Sequence, residues 1–480
     1  LDSIYHSGAF CPGNAEAAMK NNPLIRSGMA VVVLGMGVSG MAAVRYLHAQ
    51  GARVFVSEAR NESALTAAER KLRQNCCAGF EGGGHTRSFL DQGELIFLSP
   101  GIPPHLDVLE KYRSSGIPVI GDLALAAPVL QCKVVAVTGT NGKTTVVTLV
   151  GELLRAAGKK VCVCGNIGRP LLDMVQEDAG IDVAVVEVSS FQLQNSGDFR
   201  PDIGVLLNIT PDHLDWHGSL SAYALAKARM FANQSSADTA IICSDSLMCL
   251  ELATQLKNID PVLFGHDKQC QGYVCESEVY LRRQGRLEIY DLSDSVFDNA
   301  VGSLNSAAAL MAARYAGCDH ESIETTLRAF QGLPHRMELV DVLGGVRYCN
   351  DSKATNTGAV ISALHQARGR VVLIAGGRDK GDDYRLLRPA VKGKVTRVVL
   401  IGEAATQIAH HLEDIVEIEY ADSLDEAVAK AGAVAQHGDT VLLSPACASF
   451  DMFDSYGHRG QVFKESVARL RSTLVAQQLS

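Results

Sequence analysis

Two apolar runs in this chain each end in a glycine-rich loop that opens directly into a helical stretch. That order of parts constrains the fold more than any other feature. The first run, 30–34, meets Gly35-Met-Gly37-Val-Ser-Gly40 and a helical stretch to about Gln50, then strand-like 53–56 with Glu58 just beyond. The second, 133–137, meets Thr138-Gly139-Thr140-Asn141-Gly142-Lys143-Thr144-Thr145 and a helix to about Ala157. A strand running through glycines into a helix aims backbone N–H groups at one point, where phosphate is favoured. Further strand-like runs lie at 95–98, 160–163, 183–188, 203–208, 346–348, 370–375, 398–401 and 440–443, with helices such as 424–436 between them. Strands alternating with helices imply an α/β protein with a parallel sheet in every domain.

At 480 residues the chain has length for three domains. Gly-containing turns near Gly121 and Gly332 divide it into an N-terminal extension (1–28), a Rossmann-like domain (29–121), a central domain of the P-loop ATPase type (122–332) and a C-terminal Rossmann-like domain (333–480). A net charge of −9 argues against a nucleic-acid partner. The 13 cysteines follow neither zinc-knuckle nor disulfide spacing, which suits reduced thiols in the cytoplasm. No apolar run approaches the ~18 residues of a membrane span. Residues 1–28 lack the apolar stretch of a signal peptide, with Met19 and Met29 as candidate starts, and 1–20 are expected to pack poorly.

The chemistry concentrates at the second loop. Gly139, Thr140, Asn141, Gly142, Lys143, Thr144 and Thr145 can cradle ATP: amides and Lys143 on phosphate, the Thr144 hydroxyl on Mg2+. The loop is not a strict Walker sequence, since Val137 stands five before Gly142. Glu187 ends the apolar run 183–188, where a carboxylate can serve either as a Mg2+ ligand or in a structural ion pair. His213, in Asn208-Ile-Thr-Pro-Asp-His-Leu-Asp215, is a metal candidate, with Asp212 and Asp215 as alternatives. Lys227 reads by periodicity as an exposed helix lysine. The first glycine loop, with Glu58 18 residues past Gly40 and so near the position of a ribose-binding acid, would by itself suggest a dinucleotide.

Six ordered motifs join these: Gly139-Thr-Asn-Gly-Lys-Thr144, Gly165-Asn-Ile-Gly168, Glu187-Val-Ser-Ser-Phe-Gln192, Gly332-Leu-Pro-His-Arg336, Asn350-Asp-Ser-Lys-Ala-Thr-Asn356 and Ser444-Pro-Ala-Cys-Ala-Ser449. Together they resemble the Mur ligases over nearly the whole chain, from about Ala30 to about Gly460. The resemblance is to the branch that adds D-glutamate to UDP-N-acetylmuramoyl-L-alanine for peptidoglycan. It implies ATP and Mg2+ as cofactors, and Lys143, Glu187, His213 and Lys227 as catalytic residues. Thr144, Glu187, His213 and Lys227, the last as a carbamate, would be the metal ligands. Asn305, Arg336, Asp351 and Lys353 would meet the nucleotide. Asn166, Ser189, Gln192 and His213 would meet the UDP-sugar, with Val38, Ser39, Arg60 and Ser99 around the first glycine loop. Thr355, Lys380, Ser449 and Tyr456 would hold D-glutamate; the family commonly has Phe at the last of these.

The family usually carries a His-Asn pair shortly before the adenine-contacting Asn, and Val301 and Gly302 stand there instead. The resemblance also moves the first glycine loop from a dinucleotide to uridine diphosphate. Two other readings stand beside it. Another ligase of the superfamily is one, although folate-extending ligases lack the N-terminal UDP domain. A dinucleotide-dependent oxidoreductase is the other.

Overall fold

In the computed structural model, which describes residues 21–103, 106–177, 180–293 and 295–478, the apolar runs become the centres of three sheets. The weakly packed segment expected at 1–20 lies outside the described residues. The first sheet has the order β3-β2-β1-β4-β5, all parallel, with β1 Ala30–Leu34, β2 Arg53–Glu58, β3 Cys77–Gly82, β4 Leu95–Leu98 and β5 Val119–Ile120. Strand β1 is apolar and buried along its whole length, as a central parallel strand covered on both faces must be. Helix α1 (Val38–Ala49) packs Ala42, Ala43, Val44 and Leu47 beneath it. Its Gly40 leaves no room for a side chain: a Cβ there would lie 1.9 Å from the Gly35 carbonyl oxygen.

Strands β6 to β14 form the second sheet, in the order β14-β13-β12-β11-β10-β9-β6-β8-β7. They are β6 Lys133–Thr138, β7 Val161–Gly165, β8 Val183–Glu187, β9 Ile203–Leu206, β10 Thr239–Cys243, β11 Val262–Gly265, β12 Gly272–Cys275, β13 Glu278–Arg283 and β14 Arg286–Asp291. The third sheet has the order β15-β16-β20-β17-β18-β19, with β15 Glu338–Leu343, β16 Val346–Asn350, β17 Val371–Gly376, β18 Val395–Ile401, β19 Glu417–Tyr420 and β20 Thr440–Leu443. Parallel pairing dominates but is not universal, contrary to the sequence expectation. Strands β12 to β14 pair antiparallel, and so do β15 and β16. The cause is local. Gln284-Gly285 and Gly344-Gly345 are two-residue turns with both φ positive, and such turns can join only antiparallel strands.

Two compact units result. One takes residues up to Ile209, Trp216–Asp291 and Asn305–Arg328; the other takes Thr210–Asp215, Leu292–Leu304 and Ala329 onward. Within the first unit the core is continuous between the first two sheets, from Val31 and Tyr46 to Leu193 and Leu206. Asn22, in the stretch read as extension, is buried there and donates to the Tyr46 hydroxyl and the Leu125 carbonyl. The first two sheets are also linked by an ion pair between Arg45 and Asp173 at 2.7 Å. No helix among the described residues is long and apolar enough to cross a membrane.

Candidate active site

Helix α2 (Lys143–Ala156) begins directly at the second glycine loop, with Gly142 as its N-cap. Gly142 has φ 88, and a Cβ on it would come within 2.5 Å of Asn305 Oδ1. This position therefore requires glycine on both backbone and steric grounds. No side chain among the described residues caps the helix, so its first-turn amides and dipole face the loop's concavity. The Lys143 ammonium curls over the loop and donates to the Gly139 and Thr140 carbonyls, each at 2.8 Å. The Asn305 carboxamide, read from sequence as the adenine contact, lies against the loop at Gly142.

At the end of β8, the Glu187 carboxylate accepts from the Thr144 hydroxyl at 2.8 Å and from Asn166 Nδ2 at 2.9 Å. Parallel strands β6 and β8 are adjacent, so their C-terminal ends bring Thr138, the loop and Glu187 to one edge. Hard oxygens thus collect beside the phosphate loop, which suits a divalent cation shared with phosphate. Just beyond, Ser189 and Gln192 form a capping box at the start of helix α3 (Ser190–Gln194). Gln192 is buried and donates through Nε2 to Asp122 Oδ2 at 2.8 Å. Burial drives the Asp122 carboxyl above the usual carboxylate range, against the pull of that hydrogen bond. Both ends of the Gln192 carboxamide therefore support the structure around Asp122 and Ser189.

Lys227 is not the exposed lysine its periodicity suggested. On helix α4 (Leu220–Ala228) it is 1% exposed, and its Nζ donates to the Gly139 carbonyl at 2.9 Å and sits 4.5 Å over the Tyr223 ring. The Tyr223 hydroxyl reaches Thr140 Oγ1 at 3.3 Å. Helix α4 thus braces the phosphate loop through two side chains four residues apart, on one helix face. His213 belongs to the second unit, where it adopts a left-handed backbone (φ 52) and its amide donates to Asp212 Oδ1.

Around the first glycine loop, Ser99 Oγ donates to the Gly35 carbonyl, and Val38 is 63% exposed beside half-buried Ser39. Glu58 accepts from the Met36 amide at 2.8 Å and from the Arg60 guanidinium at 3.1 Å. Burial pushes the Glu58 carboxyl up, but the Arg60 and Met36 hydrogen bonds and the Arg60 charge prevail and hold it at about 2. The acid that hinted at a ribose contact is committed to the loop itself and to Arg60.

In the second unit, Asp351 is buried and accepts from Ser444 Oγ and the Met337 amide. Burial raises its carboxyl to about 7, against those bonds and the Arg336 charge. Lys380 Nζ donates to Thr355 Oγ1 at 3.4 Å, and Lys353 Nζ lies 5.2 Å over the Tyr456 ring. Ser449 is buried on the neighbouring loop. Arg459, fully buried, ties these loops together by donating to Ser352 Oγ and to the carbonyls of Ser352, Cys447 and Ala448. All these acceptors are neutral, and burial pulls the guanidinium down to about 10.

Family models match three successive stretches: the Mur ligase MurD-like N-terminal domain at 29–121, the Mur ligase middle domain at 137–313, and the Mur ligase glutamate ligase domain at 335–447. A UDP-N-acetylmuramoylalanine–D-glutamate ligase of Desulfotalea psychrophila is 50% identical over 94% of this chain and 99% of its own length. The chain belongs to the Mur ligase family. A ligase of the same name from Koribacter versatilis is 42% identical over 92% of this chain and 98% of its own. Among solved structures, a pseudomurein peptide ligase type C from Methanothermus fervidus shares the fold, with a TM-score of 0.57 at 18% identity, covering 92% of this chain and all of that one.

As a Mur ligase the chain is an ATP-dependent enzyme, and the residues read from sequence fall into separate groups. Thr144 and Asn166 both donate to Glu187, and Lys143, Lys227 and Asn305 meet the same loop. Thr355 pairs with Lys380, and Lys353 with Tyr456. Asn208, Tyr223 and Arg459 were given no role from sequence, and no local pattern marks any of them. The missing His-Asn pair has a steric counterpart: a Cβ at Gly302 would lie 2.7 Å from the Phe297 carbonyl oxygen, and the Gly302 amide donates to Asn299 Oδ1.

Proposed function

We propose that this chain joins the amine of D-glutamate to the carboxylate of UDP-N-acetylmuramoyl-L-alanine, converting ATP to ADP and phosphate, with Mg2+ on the phosphates. The observation carrying the reading is the Thr144–Glu187 hydrogen bond at the mouth of the phosphate loop, in a chain that matches ligases of that name along nearly its whole length. The expected setting is the cytoplasm, where ATP is available.

A carboxylate cannot expel oxide, so it must first be activated. Its oxygen attacks the γ-phosphorus of ATP while the bond to the bridging oxygen breaks, giving an acyl phosphate and ADP. The D-glutamate amine then attacks the acyl carbon, the tetrahedral intermediate expels phosphate, and the amine proton is lost. The loop amides and Lys143 hold the triphosphate and offset its charge as the phosphoryl group moves. Thr144 and Glu187 offer the oxygens for Mg2+, with His213 and Lys227, as a carbamate, completing the proposed set. Bound Mg2+ would neutralise charge on the transferring phosphoryl group.

Val38, Ser39, Arg60 and Ser99, with Asn166, Ser189 and Gln192, are proposed for the UDP-sugar. Arg336, Asp351 and Lys353 are proposed for the nucleotide. Lys380 would pair with a D-glutamate carboxylate, with Thr355 and Ser449 as hydroxyl donors and Tyr456 as a ring wall. The test is isotopic. With 18O in the alanyl carboxylate of the UDP substrate, one labelled oxygen should appear in the released phosphate per turnover. Unlabelled phosphate alongside amide product would overturn the acyl-phosphate route.

A further inference from the structure

The loop that holds phosphate needs its own scaffold, and one side chain supplies most of it. Asn208 follows β9, the neighbour of β6 on the side away from Glu187. Its Oδ1 accepts from the Asn141 amide at 2.9 Å, and its Nδ2 donates to the Asn141 carbonyl at 3.1 Å. Its own carbonyl accepts from the Thr140 amide at 2.9 Å. The preceding residue, Leu207, packs under both loop glycines, 3.0 Å from a Cβ placed on Gly139 and 3.2 Å from one on Gly142.

We propose that Asn208 is a positioning residue for ATP: its carboxamide clamps both faces of Asn141 and so sets the peptide planes that point at the phosphates. The inference rests on the reading of this loop as the ATP phosphate site. Carboxamide and peptide form a two-bond ring, which fixes rotation as well as distance. With Thr140 and Asn141 held, the chain enters Gly142 in the left-handed conformation that starts helix α2, and the anion-facing amides are set before ligand arrives. Of the side chains that fit, only a carboxamide serves, because one end must accept and the other donate. Aspartate has the same shape, keeps the acceptor, and turns an anion toward the Asn141 carbonyl and the phosphates.

The test measures ATP affinity in the presence of Mg2+ by calorimetry for the wild type, Asn208→Ala and Asn208→Asp. UDP-N-acetylmuramoyl-L-alanine affinity and the unfolding midpoint are measured in parallel. Both variants are expected to bind ATP about tenfold or more weakly, aspartate no better than alanine, with UDP-substrate affinity within about twofold. In Asn208→Ala the Asn141 amide should also exchange faster with solvent at unchanged global stability. Wild-type ATP affinity in the aspartate variant, equal loss of both ligands, or unchanged Asn141 exchange would overturn the proposal. A wild-type protein that binds no ATP would overturn the functional reading beneath it; a wild type that binds ATP as tightly as Asn208→Ala overturns this proposal alone.

Discussion

Lys227 and Leu225 sit two residues apart on one helix, and their environments are the reverse of what their side chains suggest: Lys227 is 1% exposed and Leu225 56%. Hydrophobic periodicity fails here because helix α4 packs Tyr223 and Ala224 in the core while the same buried side also meets the phosphate loop, a polar surface offering the Gly139 carbonyl and Thr140 hydroxyl. A carbamate presents two anionic oxygens where an ammonium would repel a cation. Lys227→Ala and the charge-conserving Lys227→Arg are therefore both expected to lower turnover by about two orders of magnitude while ATP still binds. Steady-state rates beside ATP calorimetry check this, and near-normal turnover of the Arg variant would remove the carbamate from the account. Arg459 and Asn208 were invisible in the sequence for a related reason. Most of their partners are main-chain groups on other loops, and no spacing in the chain announces such bonds.

At the scale of elements, both strand–glycine loop–helix units were legible, because the order of parts dictates the geometry. Strand–helix alternation does not reach the antiparallel edges: β12 to β14 follow one another with no helix between them, and the signal there is in the Gln284-Gly285 and Gly344-Gly345 turns. What holds the first loop is not legible from spacing. Glu58, which the loop taken by itself places near a ribose, ties Met36 to Arg60. Its folded carboxyl is held at about 2, below the ordinary 4.5. The stability this adds is therefore full above pH 4.5 and lost as pH falls through that value toward 2. Glu58→Gln should lower stability by about 1 kcal/mol at pH 7, a modest figure because Arg60 is partly exposed and screened by solvent. The gap to the wild type should narrow below pH 4.5. Urea unfolding at pH 7, 5 and 4 measures it, and a gap that widens with acidity would mean Glu58 is not the charged partner of this loop.

For the whole molecule, three sheets with a phosphate loop leading the second were readable because length, glycine placement and strand–helix alternation all agreed. Which residues share a site was less readable, since the metal candidates split between two units: Glu187 and Lys227 in one, His213 in the other. On the proposed reading, the choice of amino acid would be set by the third sheet's loops, where Arg459 donates to the Ser352 and Cys447 carbonyls and Lys380 to Thr355. The central claim is that ATP cleavage serves one amide bond. The most direct measurement supplies ATP, Mg2+ and UDP-N-acetylmuramoyl-L-alanine, adds one amino acid at a time, and follows phosphate release together with product mass. Sustained phosphate release with a product heavier by one glutamyl residue is predicted for D-glutamate alone; equal turnover with L-glutamate, L-alanine or diaminopimelate, or sustained release with no amino acid, would contradict it.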